Sequence, residues 1–165
     1  VRSFAPQLCA TMYTTLLLLH SLMRWFVLAS LLYAIYRGLR GWRTGIPFEA
    51  WDNALRHSTA TIAHIQLMIG YTLYFNSPVI QHFRDHAREA GLPYEFRFFG
   101  WIHILLMTVA VVLITVGSAL AKRRPMDRAK FKTMAIWFLL GLTVILIAIP
   151  WPFSPFANRP YIRNF

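Results

Sequence analysis

The sequence predicts an all-α protein, four transmembrane helices packed antiparallel as an up-down bundle, and three observations carry that expectation. Hydrophobic residues make up 57% of the 165-residue chain and charged residues 14%, whereas a soluble domain is roughly half apolar and about a quarter charged. Windows of about 20 residues pick out four apolar segments, at about 13–36, 54–75, 98–121 and 131–151. The connections between them are short, and short connections make sequential helices antiparallel neighbours. The expected organisation is a flexible N-terminal arm over 1–12, a membrane domain over 13–153 and an external tail over 154–165, with no room for a separate soluble domain.

The first helix is expected to run to about Tyr36 and to end in "YRGLRGW", where Gly38, Gly41 and interfacial Trp42 form a normal membrane exit. Met12 stands directly before it, in the position of a translational start, and the arm upstream lacks the apolar core of a signal peptide. Trp51 or Asp52 opens the second helix, and Asn76, Ser77 and Pro78 close it. The polar stretch "SPVIQHFRDHAREAGLPYEF" predicts a short surface helix ended by Gly91 and Pro93. The third helix begins among the aromatics of "FRFFGW" and stops at "AKRRP", and the fourth ends at "IPWPFSP". Most of the six tryptophans fall near helix ends, as an aromatic belt does, while Trp25 lies deeper beside Arg24. The single cysteine, Cys9, rules out an internal disulfide and any cysteine-based cluster.

A net charge of +11 invites a nucleic-acid reading, but its distribution favours lipid. Arg37, Arg40, Arg43, Arg56, Lys122, Arg123, Arg124, Arg128, Lys130 and Lys132 fall around the first and third connections. Arg2, Arg84, Arg88, Arg97, Arg159 and Arg163 fall on the other side, where Asp85, Glu89 and Glu95 offset the middle group. The positive-inside rule then puts the first and third connections in the cytoplasm and both termini outside. The basic third connection suits anionic headgroups.

Ionisable groups at bilayer depth are costly and mark a site with partners to be found. They are His20 and Arg24 on the first helix, His64 on the second and His103 on the third, with Gln66 as a further polar group. At a rise of about 1.5 Å per residue, His20 and His103 share a layer roughly 10 Å below the outer boundary, and His64 lies deeper, at about 16 Å. Facing imidazoles at one height suit a haem, because haem iron takes axial histidines. The expected ligands are His20 with His103, and His64 with either if the helices tilt. Arg24, four residues from His20 and on nearly the same face, suits a haem propionate. Gly70 and Gly100 would let a flat macrocycle approach the backbone. The plainer reading has the same histidines bonding only between helices, and Gln66 is read that way rather than as a ligand. His57 is read as interfacial, and His82 with His86 as a solvated helix face rather than a metal site. Protease, phosphate-loop, dinucleotide and paired-carboxylate motifs are absent, and so are the interrupted helices of many transporters.

The segments "LHSLMRW", "HIQLMIGYTLYF", "FFGWIH" and "IPWPF" resemble a family of small bacterial four-helix membrane proteins described as cytochrome b-like, over about residues 12–153. That resemblance implies a b-type haem protein passing electrons near the membrane, with His20, His64 and His103 at the matching positions. The second histidine that two-haem cytochromes carry on one helix is missing, which argues against a transmembrane electron wire. The expectation is therefore a haem-binding or quinone-facing electron-transfer subunit in contact with other respiratory subunits, not an enzyme on its own. The alternative is a structural subunit of a membrane complex.

Overall fold

A computed structural model describes residues 4–89, 91–154, 157 and 159, with side chains from residue 11 onward. Every regular element among the described residues is helical: α1 (Phe4–Thr44), α2 (Ala50–Asn76), α3 (Pro78–His86), α4 (Tyr94–Arg97), a π turn (Phe98–Ile102), α5 (His103–Arg123) and α6 (Asp127–Ala148). Three stretches are long and apolar enough to cross a membrane, Thr11–Thr44, Tyr94–Arg123 and Asp127–Ala148. Their outward faces carry Phe26, Leu32, Leu105, Val112, Leu139 and Ile147, all exposed. Such apolar faces suit a surrounding of lipid, where backbone polar groups are satisfied within the helix itself. α2 has 27 residues, but His57, Ser58, Thr59, Thr61, His64 and Gln66 keep it less apolar than the other three.

The helices run further than the apolar windows. α1 continues upstream through residue 4, into the stretch read as an arm, and downstream to Thr44. Arg37, Arg40 and Arg43 consequently belong to α1 rather than to a connection, which shrinks to residues 45–49. Gly45 makes that turn with a positive φ of 69°, a conformation that costs a glycine little. The short surface helix is present as α3, opened by Pro78 at its first turn.

α1 packs against α2 and α6, and α5 packs against α2 and α6. The shared interior holds Leu31 and Ala34 of α1, Ile114 of α5 and Phe131, Met134 and Phe138 of α6, all fully buried. Small residues let the backbones approach, as membrane helices require where water drives nothing together. A Cβ at Gly38 would stand 3.0 Å from the Cβ of Ala135, one at Gly41 would enter the ring of Phe131, and one at Gly117 would overlap the Cβ of Trp137.

Beneath the basic end the helices are tied by polar bonds that no apolar window foreshadows. Asp52, buried in the first turn of α2, accepts from Arg37 Nε at 3.0 Å and Nη2 at 2.7 Å through Oδ1. Its Oδ2 accepts from the backbone N–H of Glu49 at 3.2 Å, satisfying a donor that the helix start leaves unpaired. Arg56, also buried, donates to the Ser118 carbonyl at 2.9 Å, to the Ser118 hydroxyl, and to Asn53 Oδ1 at 2.8 Å. At the other end α3 lies across the π turn, with Phe83 seated where a side chain at position 100 would stand.

Candidate functional site

Between α1, α2, the α3 end and α5 lies a cavity of about 220 Å³, lined mostly by apolar side chains such as Leu17, Leu67, Ile104 and Met107. His20, Arg24, Gln66, His103 and Arg159 also line it. Three of the four residues singled out by sequence therefore meet in one place: His20, Arg24 and His103. The two imidazoles stand with ring centroids 6.5 Å apart and planes inclined at 70°.

Each histidine is set by a different local cause. His103 is the first residue of α5, directly after the π turn, and its Nδ1 stands 2.8 Å from the carbonyl oxygen of Ala148. Ala148 ends α6, so its carbonyl is among those that a helix terminus leaves unpaired. A carbonyl only accepts, so Nδ1 carries the proton and the Nε2 lone pair stays available. Tyr74 donates its hydroxyl to the Gly100 carbonyl at 2.9 Å, supplying a partner where the π turn departs from regular helical bonding. His20 packs against Gly70, where a Cβ would stand 3.2 Å from its Cε1. Gly70 thus makes room for an imidazole, and Gly100 makes room for Phe83 rather than for a bound group.

Gln66 donates from Nε2 to the His20 carbonyl at 2.9 Å, the interhelical bond expected of it. Its Oε1 and the Nδ1 of His20 are both buried, with no hydrogen-bond partner. Buried polar atoms are rarely left so.

Arg24 lies over the ring of Trp25, 5.3 Å from its centroid, and Trp25 meets Trp151 edge-on at 6.4 Å. Arg159, from beyond α6, ion-pairs with Glu95 of α4 and lies over Phe99 at 5.4 Å. Arg159 was invisible as a site residue because a tail arginine carries no local signal and its partner is 64 positions away.

His64 stands apart. It is exposed, does not line the cavity, donates from Nδ1 to the Ala60 carbonyl at 2.8 Å and places Nε2 3.3 Å from Thr115 Oγ1. His57 is exposed as well. His82 and His86 stack at 4.2 Å, with His86 Nδ1 3.0 Å from the His82 carbonyl, on the surface of α3.

No family model matches the chain, and no curated protein or solved structure does either. The chemistry must be read from the cavity itself. The two imidazoles, 6.5 Å apart between centroids, are nitrogen donors of the kind that hold a haem iron, and the Arg24 guanidinium adds a binding group for a carboxylate.

Proposed function

We propose that the chain is a cytochrome b-like membrane protein that holds one b-type haem between α1 and α5 and works as an electron-transfer subunit. In this reading α2 is a fourth span and the four long helices form an antiparallel up-down bundle. The bundle lies in a bacterial inner membrane with residues 45–49 and 124–126 inside and both ends outside. Quinone or other respiratory subunits are its electron partners.

The observation that carries the reading is the His20–His103 pair at 6.5 Å in a cavity walled by apolar residues. His20 and His103 would hold the iron, while Arg24 would take a propionate. When bound, haem supplies one-electron exchange at its iron. The Ala148 carbonyl fixes the His103 ring and raises the basicity of its free nitrogen, the service that an outer partner gives a ligating imidazole. The mostly apolar lining would keep the surroundings of a bound metal low in polarity, which tunes its potential. His64, one of the three positions the resemblance matches, is left out of this arrangement, because it already has polar neighbours at both ring nitrogens and serves α2 and α5.

A second reading has its own support. The His103–Ala148 and Gln66–His20 bonds each join two helices, and interhelical bonds of this kind contribute about 0.6–2 kcal/mol. A structural subunit would need no more.

Optical spectra of detergent-purified protein expressed with ample haem separate the two. The haem reading expects a Soret band and a reduced α-band, lost in His20→Ala and in His103→Ala and retained in His64→Ala. A spectrum without either band in the parent protein, or one that survives both cavity substitutions, leaves the structural reading in possession.

A further inference from the structure

The basic end of the molecule carries a groove between the C-terminus of α5 and the first turns of α6, lined by Arg124, Ala129, Lys132, Thr133, Ile136 and Trp137. We infer that this groove binds the phosphate headgroup of an anionic phospholipid from the adjoining leaflet.

Two neighbouring cations turn away from the groove. Lys130 pairs with Asp127 at 2.7 Å, and Arg128 donates from Nε to the Trp42 carbonyl at 3.0 Å. Arg124 and Lys132 instead flank the groove, both exposed. Arg124 Nε donates to Thr133 Oγ1 at 3.3 Å, a bond that uses one of the five guanidinium N–H groups and ties that side chain to the groove. Lys132 lies over Trp42, 5.2 Å from the ring centroid. No carboxylate lines the groove, so nothing there competes with an anion.

The groove is graded along the membrane normal. Arg124, Lys132 and Thr133 form its polar rim, and Ile136 and Trp137 lie one turn further along α6, about 6 Å toward the apolar middle of the helix. Trp137 is held by Gly117, whose missing side chain receives its Cβ, so the aromatic wall is fixed. A phosphate beside an apolar wall, in that order, is the sequence of groups a phospholipid presents. Free phosphate would use only the rim. Basic grooves between membrane helices suit such headgroups.

Native mass spectrometry of the detergent-solubilised full chain, titrated with phosphatidylglycerol or phosphatidylcholine, tests this. The expected result is a saturable phosphatidylglycerol adduct, weakened about tenfold in the Arg124→Gln/Lys132→Gln double variant, as suits the loss of two basic contacts. The double variant Arg40→Gln/Arg43→Gln, at exposed sites outside the groove, should keep the adduct. Equal loss in both doubles means general attraction to the basic end and overturns the site. Displacement by inorganic phosphate at concentrations comparable to the lipid means simple ion binding and overturns the lipid assignment. A measurement on the unaltered residues at the rim covers the case of a poorly folded variant: brominated-chain phosphatidylglycerol should quench the fluorescence lost in Trp137→Phe, and brominated phosphatidylcholine should not. Equal quenching by both lipids also overturns the assignment.

Discussion

Asp52 and Arg37 form an unequal pair, because the carboxylate is fully buried while the guanidinium keeps 19% of its surface exposed. Removing the arginine strands a charge in the interior, whereas removing the aspartate leaves an arginine whose long stem can carry its head to water. Arg37→Ala should therefore cost about 3 kcal/mol, and Asp52→Ala about 1–2 kcal/mol, read as loss of thermal stability in detergent micelles. Equal losses would show that the exposed surface of Arg37 does not matter. None of this was legible in the sequence. Charge near a helix end reads as a connection, and only the extra turns of α1 bring Arg37 to Asp52 across 15 positions. The His20–His103 layer was legible, because rise along a helix converts residue number to depth. That His64 does not line the cavity was hidden for the complementary reason: depth says nothing about the face on which a side chain emerges, and its face is outward.

Among elements, α1 and α6 meet through small residues facing large ones, most tightly where Gly41 receives the ring of Phe131. A Gly41→Ala substitution forces the ring or the helix aside and should cost about 1–3 kcal/mol. Phe131→Ala opens a cavity at a fully buried position and should cost about 3–5 kcal/mol. The double variant should lose clearly less than the sum, since the new methyl enters the space the ring vacates. Additive losses in a thermal unfolding series would mean the two positions do not share that space. Gly41 was legible only as membrane-exit punctuation, because the sequence shows a glycine without showing what fills its place. The π turn at Phe98–Ile102 was equally hidden. Nothing in "FFGWI" departs from helical composition, and the irregularity is sustained from outside, by Tyr74 at the Gly100 carbonyl and by Phe83 over Gly100.

For the whole molecule, the basic residues cluster at one end of the long helices, and that asymmetry sets the orientation expected in a membrane. A fluorescent reporter that matures only in the cytoplasm should light up when inserted at residues 45–49 or 124–126, and alkaline phosphatase should be active when inserted at residues 87–93. The reverse pattern would overturn the orientation. The cavity opposite the basic end has a further consequence for how the protein is made. Tyr13, His20, Gly70, His103 and Arg159 all contribute to its wall, and the Ala148 carbonyl holds one of its rings. The wall is drawn from residues as far apart as Tyr13 and Arg159, so the chamber is complete only when all of these elements are in place. A molecule that needed the whole wall would therefore meet it only after α6 has joined α1, α2 and α5.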